Sequence, residues 1–240
     1  MTTTITPLIA GNWKMNGLRA SLEELTTRGT VDKHIAQLLR GIVRHRRSLL
    51  VVGGTGTGKT TLLAALLAEV AHHERIVCIE DTAELQPPHP HVVTLVSRGA
   101  NIEGTGDITM SDLLRQALRM RPDRIVVGEI RGAEVVDLLA ALNTGHDGGA
   151  GTIHANTLAE VPARLEALAA LGGLDRAALH PQFAAAVDVI IVMRRLPDGR
   201  RIVDQIGRVE DTAHPQPVWD SARGELPGFA EFAREVGVTS

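Results

Sequence analysis

The sequence predicts an α/β fold, a mostly parallel sheet with helices on both faces. Three observations predict it. Short runs of Val, Ile and Leu alternate along the chain with longer segments of helical spacing, the pattern of βα units. Several of these runs are apolar throughout rather than at alternate positions, as strands buried on both faces require. One run leads through a glycine-rich segment, GGTGTGKT (Gly53–Thr60), directly into a helical pattern.

In chain order, strands are expected at Ser48–Val52, Arg75–Glu80, His91–Val96, Arg124–Ile130, Gly149–Ala155 and Val187–Met193. Helices are expected at Thr60–His73, Met110–Met120, Ala133–Gly145 and Leu158–Gly172. Ser111 is the expected N-cap of the second helix, and Gly145 and Gly172 the stops of the last two. Pro87–His91 (PPHPH) is a stiff loop and Gly99–Thr109 a glycine-rich excursion. From Asp211 the chain is rich in Pro and Gly with little periodicity, which predicts an extended tail ending in a short helix. The expected division is a leader at 1–27 with one strand and one helix, a core at 28–210 and the tail at 211–240.

Composition excludes several classes. The 240 residues are 44% hydrophobic and 22% charged, ordinary for a globular protein able to bury a core. Lys plus Arg is 25 against 28 for Asp plus Glu, so nothing in the balance suits a general nucleic-acid binder. Aromatics are 2% with no Tyr, leaving few rings on which bases could stack. Cys78 is the only cysteine, so internal disulfides and cysteine-rich zinc sites are excluded. Its mid-strand position predicts a small buried hydrophobe in a protein of a reducing compartment. No apolar run is long enough to cross a bilayer, and MTTTITPLIAG lacks the charged start and apolar centre of a secretory signal. A cytoplasmic location is expected.

The segment GGTGTGKT fits G-x-x-x-x-G-K-[ST]. Its chemistry needs a strand entering, glycines that let the backbone curl with N–H groups toward phosphate oxygens, and a helix leaving with its positive end at the anion. SLLVV enters and TTLLAALLAEV leaves. The expected cradle is Gly53, Gly54, Thr55, Gly56, Thr57, Gly58, Lys59, Thr60 and Thr61, with Lys59 at the β- and γ-phosphates and the Thr60 hydroxyl on Mg²⁺. Hydrolysis also needs carboxylates at neighbouring strand ends, one near the metal and one to deprotonate water. Glu80 and Glu129 stand at two such ends.

The ordered set GGTGTGKTTLL, IVCIEDTAEL, ALRMRPDRIVVGEIRGAE and NTGHDGGAGTIHAN resembles the secretion ATPases of type II/IV systems over about residues 25–207. Within them it is most similar to the tight-adherence pilus branch (TadA/CpaF, related to VirB11). The resemblance implies a RecA-like three-layer P-loop sandwich, ATP and Mg²⁺, and hydrolysis that drives pilus assembly or export. It also implies a hexamer at the cytoplasmic face of the inner membrane, bound to integral platform proteins and not to nucleic acid. By the same resemblance Glu80 activates the attacking water and Glu129 positions Mg²⁺ or its waters. His154 senses the γ-phosphate, and His146 opens the same segment. Arg98, Arg115, Arg119 and Arg131 fall where the family draws arginines to the phosphates, within a subunit or across an interface, with Arg119 and Arg131 the preferred pair.

PLIAGNWKMNGLRASLEEL (Pro7–Leu25) resembles instead the first strand, loop and helix of triosephosphate isomerase, with Asn12 and Lys14 at its substrate-binding positions. The segments carrying that family's glutamate base and lid are not found. The chain therefore reads as composite, with a leader expected to have no chemistry of its own. Two alternatives to the motor stay open: an isomerase on an eight-stranded barrel, and a nucleotide-binding module without turnover.

Overall fold

In chain order the first half forms α1 (Leu22–Thr27), α2 (Lys33–Arg44), β1 (Leu49–Val52), α3 (Lys59–Leu67), β2 (Ile76–Glu80), β3 (Val92–Val96), α4 (Met110–Leu118) and β4 (Arg124–Ile130). The second half forms α5 (Glu134–Leu142), β5 (Ala150–Ile153), α6 (Val161–Leu171), α7 (Arg176–Ala186), β6 (Val189–Arg195), β7 (Arg201–Arg208), β8 (Gln216–Asp220), β9 (Gly224–Glu225) and α8 (Phe229–Glu235). This computed structural model describes residues 21–100, 106–210 and 213–238. Residues 7–20 of the isomerase-like segment, with Asn12 and Lys14, lie outside the described residues.

The strands form one sheet in the order β3-β2-β4-β5-β1-β6-β7-β8-β9. β1 to β6 run parallel, and β7, β8 and β9 continue antiparallel at one side. Alternation along each central strand divides the core in two. Leu49 and Val51 pack with Leu22, Leu39, Leu62 and Phe232 from the layer of α1, α2, α3 and α8. Leu50 and Val52 pack with Leu114, Leu138, Leu165 and Phe183 from the layer of α4 to α7. Both faces of β1, β2 and β6 are therefore buried, which is why these strands read as continuous apolar runs. The result is a three-layer α/β/α sandwich. Among the described residues the sheet stays open, with β3 and β9 at its edges, so the eight-stranded barrel is overturned.

The sequence reading is corrected in four places. The α4 cap is Thr109, not Ser111: its hydroxyl accepts the Asp112 N–H at 3.1 Å, and Asp112 returns a bond to the Thr109 N–H in a capping box. Helix α2 was not anticipated, though Ile35, Leu38, Leu39 and Ile42 recur at helical spacing and are buried. Neither α7 nor β7 was expected. Residues 213–238 are not an extended tail, since β8 pairs with β7; the expected short helix is present as α8, which inserts Phe229 and Phe232 into the core.

At the amino end of the parallel strands, Arg124 is buried at the start of β4. Its Nε and Nη2 donate to the two carboxylate oxygens of Glu74 at 2.8 and 3.1 Å, and Nη2 also reaches the Val43 carbonyl at 3.0 Å. Arg46 joins the same carboxylate from outside at 2.8 Å.

Candidate active site

β1 is buried along its length and ends at Val52, where the glycine-rich loop begins. The loop needs its glycines for different reasons. A Cβ on Gly53 would stand 2.5 Å from the Met193 carbonyl oxygen. Gly58 caps α3 in the left-handed region at φ +97°, a conformation only glycine adopts readily. No side chain caps α3, so its first N–H groups and the positive end of its dipole are presented by the loop itself. Lys59, the first helical residue, is buried, and its ammonium donates to the carbonyls of Gly53 at 2.9 Å and Gly54 at 3.2 Å. Burial pushes the Lys59 pKa down; the Glu129 charge opposes that, and Arg131 adds to it. Lys59 thus feels both residues across the sheet edge. Thr60 and Thr61 follow in the first helical turn, both half-buried.

Glu80 ends β2 and is 2% exposed. Its Oε2 accepts the backbone N–H groups of Glu84 at 3.0 Å and Leu85 at 2.9 Å. Its Oε1 is buried with no hydrogen-bond partner among the described residues. Burial raises the Glu80 pKa; the two amide bonds act against this, and the charges of Glu84 and Asp81 add to it. The carboxylate fits because Gly128 lies across from it on β4: a Cβ there would stand 2.7 Å from the Glu80 Cγ.

Gly128 and Glu129 also sit in an irregularity of β4. Val127 pairs with Gly151 and Ile130 with Ile153, so two β4 residues oppose the single Thr152. The buried Thr152 hydroxyl donates to the Gly128 carbonyl at 2.6 Å. Such a bulge re-aims the side chains at a strand end. Glu129 is half-buried and ion-paired with Arg131, which also pairs with Asp81 beyond β2. The hydrogen bond to Glu129 raises the Arg131 pKa.

Register places His154 at the same edge. Val52 pairs with Ile153, so the residues that follow, Gly53 and His154, leave the sheet side by side. The His154 side chain is exposed. His146 sits apart from this edge, before β5, where Nδ1 lies 3.2 Å from the Ala141 carbonyl oxygen. Two residues that sequence reasoning missed touch the loop. The Asn156 Oδ1 lies 3.3 Å from where a Cβ on Gly54 would stand, and Glu160 holds the Asn156 N–H at 2.8 Å. Arg201 donates from Nε to the Gly56 carbonyl at 2.8 Å.

Arg119 does not join the site of its own chain. It caps the carboxyl end of α4, and the chain then enters β4 at Arg124. Seven residues of β4, at about 3.3 Å each, separate that end of the sheet from Glu129 and the loop. Arg119 is exposed at the opposite edge of the sheet, where only a neighbouring subunit's site could meet it. Arg115, one turn earlier, pairs on the surface with Asp137 at 3.2 Å. Arg98 follows β3 at the right edge, but its guanidinium donates to the Gly106 carbonyl. Of the preferred pair only Arg131 joins the site.

The residues present fit a nucleotide and its metal. An uncapped helix start, a buried ammonium and left-handed glycines suit a polyphosphate. Among the described residues no three His, Cys, Asp or Glu cluster as a metal cage. Mg²⁺ needs none, because it keeps waters and binds through one or two protein oxygens plus phosphates. Thr60 and Glu129 are the residues that would hold it.

A family model described as "Type II/IV secretion system protein" matches residues 14–219. A putative conjugal transfer protein of Mycobacterium tuberculosis is 60% identical over 206 residues, 85% of this chain and 58% of that protein. Type IV secretion system protein PtlH of Bordetella pertussis is 40% identical over 176 residues, 69% of this chain and 51% of that one. Among solved structures, the VirB11 ATPase from the Brucella suis type IV secretion system, in complex with sulphate, superposes with a TM-score of 0.64. It is 28% identical, over 85% of this chain and 59% of that one. The pilus retraction motor PilT with bound ADP gives 0.61 at 24% identity over 92% and 57%, a likeness of fold. The sandwich is thus the RecA-like P-loop fold of these ATPases. The chain spans little more than half the length of these curated relatives.

Proposed function

Since the chain belongs to the type II/IV secretion system protein family, we propose that it binds and hydrolyses Mg²⁺-ATP and that turnover drives a type IV secretion or pilus machine. One observation carries this reading: a buried carboxylate at the sheet edge that also carries the phosphate loop, with one oxygen held by two amides and the other without a hydrogen-bond partner among the described residues. The sulphate held by the Brucella suis relative supports an anion site in this fold.

Each residue then has a task. The amides of residues 53–61 and the Lys59 ammonium hold the β- and γ-phosphates in a fixed geometry. Such preorganised charge acts without reorganisation cost when the terminal phosphoryl group is transferred. When bound, Mg²⁺ neutralises phosphoryl charge; Thr60 and Glu129 hold it or its waters. Glu80 accepts a proton from the attacking water at Oε1 while Oε2 stays tied to Glu84 and Leu85. A carboxyl pKa raised by burial suits a general base working near neutral pH. Arg131 balances Asp81 and Glu129 at the site, and His154 reads the terminal phosphate.

In the same reading the chain belongs to the tight-adherence branch (TadA/CpaF) and works as a hexamer on platform proteins at the cytoplasmic face of the inner membrane, not on nucleic acid. Residues 28–210 carry the motor, and residues 1–27 add no chemistry. No helix among the described residues is long and apolar enough to cross a membrane, so attachment would run through partners.

Steady-state phosphate release tests the reading. Lys59→Ala should lose nucleotide binding. Glu80→Gln should bind ATP but release phosphate about 10²–10⁴-fold more slowly, the usual worth of a general base. Equal release by these variants and the unaltered chain would refute the assignment.

A further inference from the structure

The hairpin of β6 and β7 presses on the phosphate loop from outside. Beyond the position where β6 pairs with Val52, the Met193 carbonyl closes on Gly53. The chain turns through residues 196–200, and β7 begins at Arg201, cross-strand from Arg195. Arg201 is half-buried; its Cδ lies 3.2 Å from where a Cβ on Gly58 would stand, and its Nε–H reaches the Gly56 carbonyl at 2.8 Å.

That bond has a consequence inside the loop. A trans peptide points its C=O and the following N–H in opposite directions. A donor holding the Gly56 carbonyl from the hairpin side therefore turns the Thr57 N–H away from the hairpin. The Thr57 N–H accordingly points across the loop, where it donates to the Gly54 carbonyl at 3.4 Å and closes the turn. Gly56 has φ +73°, and glycine alone would let this peptide rotate at little cost.

We propose that Arg201 is a positioning residue for nucleotide binding, fixing the Gly56–Thr57 peptide and with it the shape of the loop that receives the polyphosphate. This rests on the nucleotide reading above and adds a residue that the loop motif does not contain. Charge supports it independently. Like charges cross-strand are unfavourable, yet Arg195 and Arg201 face each other beside a loop that already holds Lys59. Burial and the Arg195 charge both push the Arg201 pKa down.

The test titrates the 240-residue chain with N-methylanthraniloyl-labelled ATP and ADP, with Mg²⁺ present, and measures KM and kcat. Arg201→Ala should raise Kd about tenfold for both nucleotides and raise KM with kcat changed less than threefold, the signature of lost uniform binding. Arg201→Lys keeps the charge but not the planar Nε–H, and should be impaired to within threefold of Arg201→Ala. Arg200→Ala, which removes the neighbouring charge paired with Asp198, should bind as the parent does. A parent-like Kd in Arg201→Ala, recovery of affinity in Arg201→Lys, or a loss confined to ATP would overturn the proposal. If Arg201→Ala does not fold, the Lys variant alone decides. No binding by the unaltered chain would instead sink the nucleotide reading itself.

Discussion

Adding one methyl group at Gly128 should separate catalysis from binding. A Cβ there would lie 2.7 Å from Glu80 Cγ, 3.0 Å from Oε2 and 3.2 Å from Cδ. Carbon atoms pack best at about 3.5–4.0 Å, so the Glu80 side chain must retreat by about 1 Å. Its bonds to the Glu84 and Leu85 amides, now 3.0 and 2.9 Å, would stretch to nearly 4 Å and cease to be hydrogen bonds. A displacement of about 1 Å in a catalytic group can cost about 10²-fold in rate, while overpacking a core costs about 1–3 kcal/mol. Gly128→Ala should therefore fold with a Tm lowered by several degrees, bind labelled ATP as the parent does, and lose about 10²-fold in kcat. The phosphate loop is on β1, with β5 between it and β4, so the cradle is not touched. Phosphate release within twofold of the parent, in a folded variant with unchanged Kd, would refute Glu80 as the base held by this geometry.

Two further tests use pH. Glu80 has a folded pKa raised by burial above its unfolded value of about 4.3, so its contribution to stability is full below that value and lost as pH rises through the folded one. The Tm of Glu80→Gln minus that of the parent should grow from about pH 4 toward neutrality; a difference flat with pH would refute the shift. Glu74 behaves oppositely: burial alone would raise its pKa, but the hydrogen bond and charge of Arg124, with Arg46, bring it below the usual range. Its contribution is present above the unfolded value and lost as pH falls through the folded one. At neutral pH, Glu74→Gln should destabilise the chain by about 3–5 kcal/mol, as breaking one partner of a buried pair does. Urea unfolding would detect this, and a loss below about 1 kcal/mol would contradict it.

What could be read from the sequence was what local pattern records. Strands β1, β2, β4 and β6 are buried on both faces, so composition alone marked them. The phosphate loop is contiguous, so its spacing was visible, and Glu80 and Glu129 could be placed at strand ends because a strand end is a local feature. The elements missed were those whose burial is one-sided or supplied from afar. β7 mixes half-buried with buried residues without regular alternation; β8 carries Pro217, tolerated near the side of the sheet where strands are short. α7 has Pro181 inside it and a weak apolar face. The period of α2 was present in the letters and could have been read.

The site arginines show why nearness in sequence is a poor guide to nearness at a sheet edge. Arg119 stands ten residues before Glu129 in the chain, but a parallel strand carries its start and its end to opposite edges. Within one chain, residues in the turn before β4 therefore lie at the opposite edge from the site, and residues in the turn after it, such as Arg131, lie at the same edge. Arg201 stands 145 residues from Gly56 and reaches it because β7 runs antiparallel to β6. An antiparallel strand starts where its parallel neighbours end. In an open parallel sheet with one antiparallel flank, the first residue of the flanking strand is thus delivered to the phosphate edge by topology alone. A basic residue there was a candidate as soon as β6 and β7 were paired.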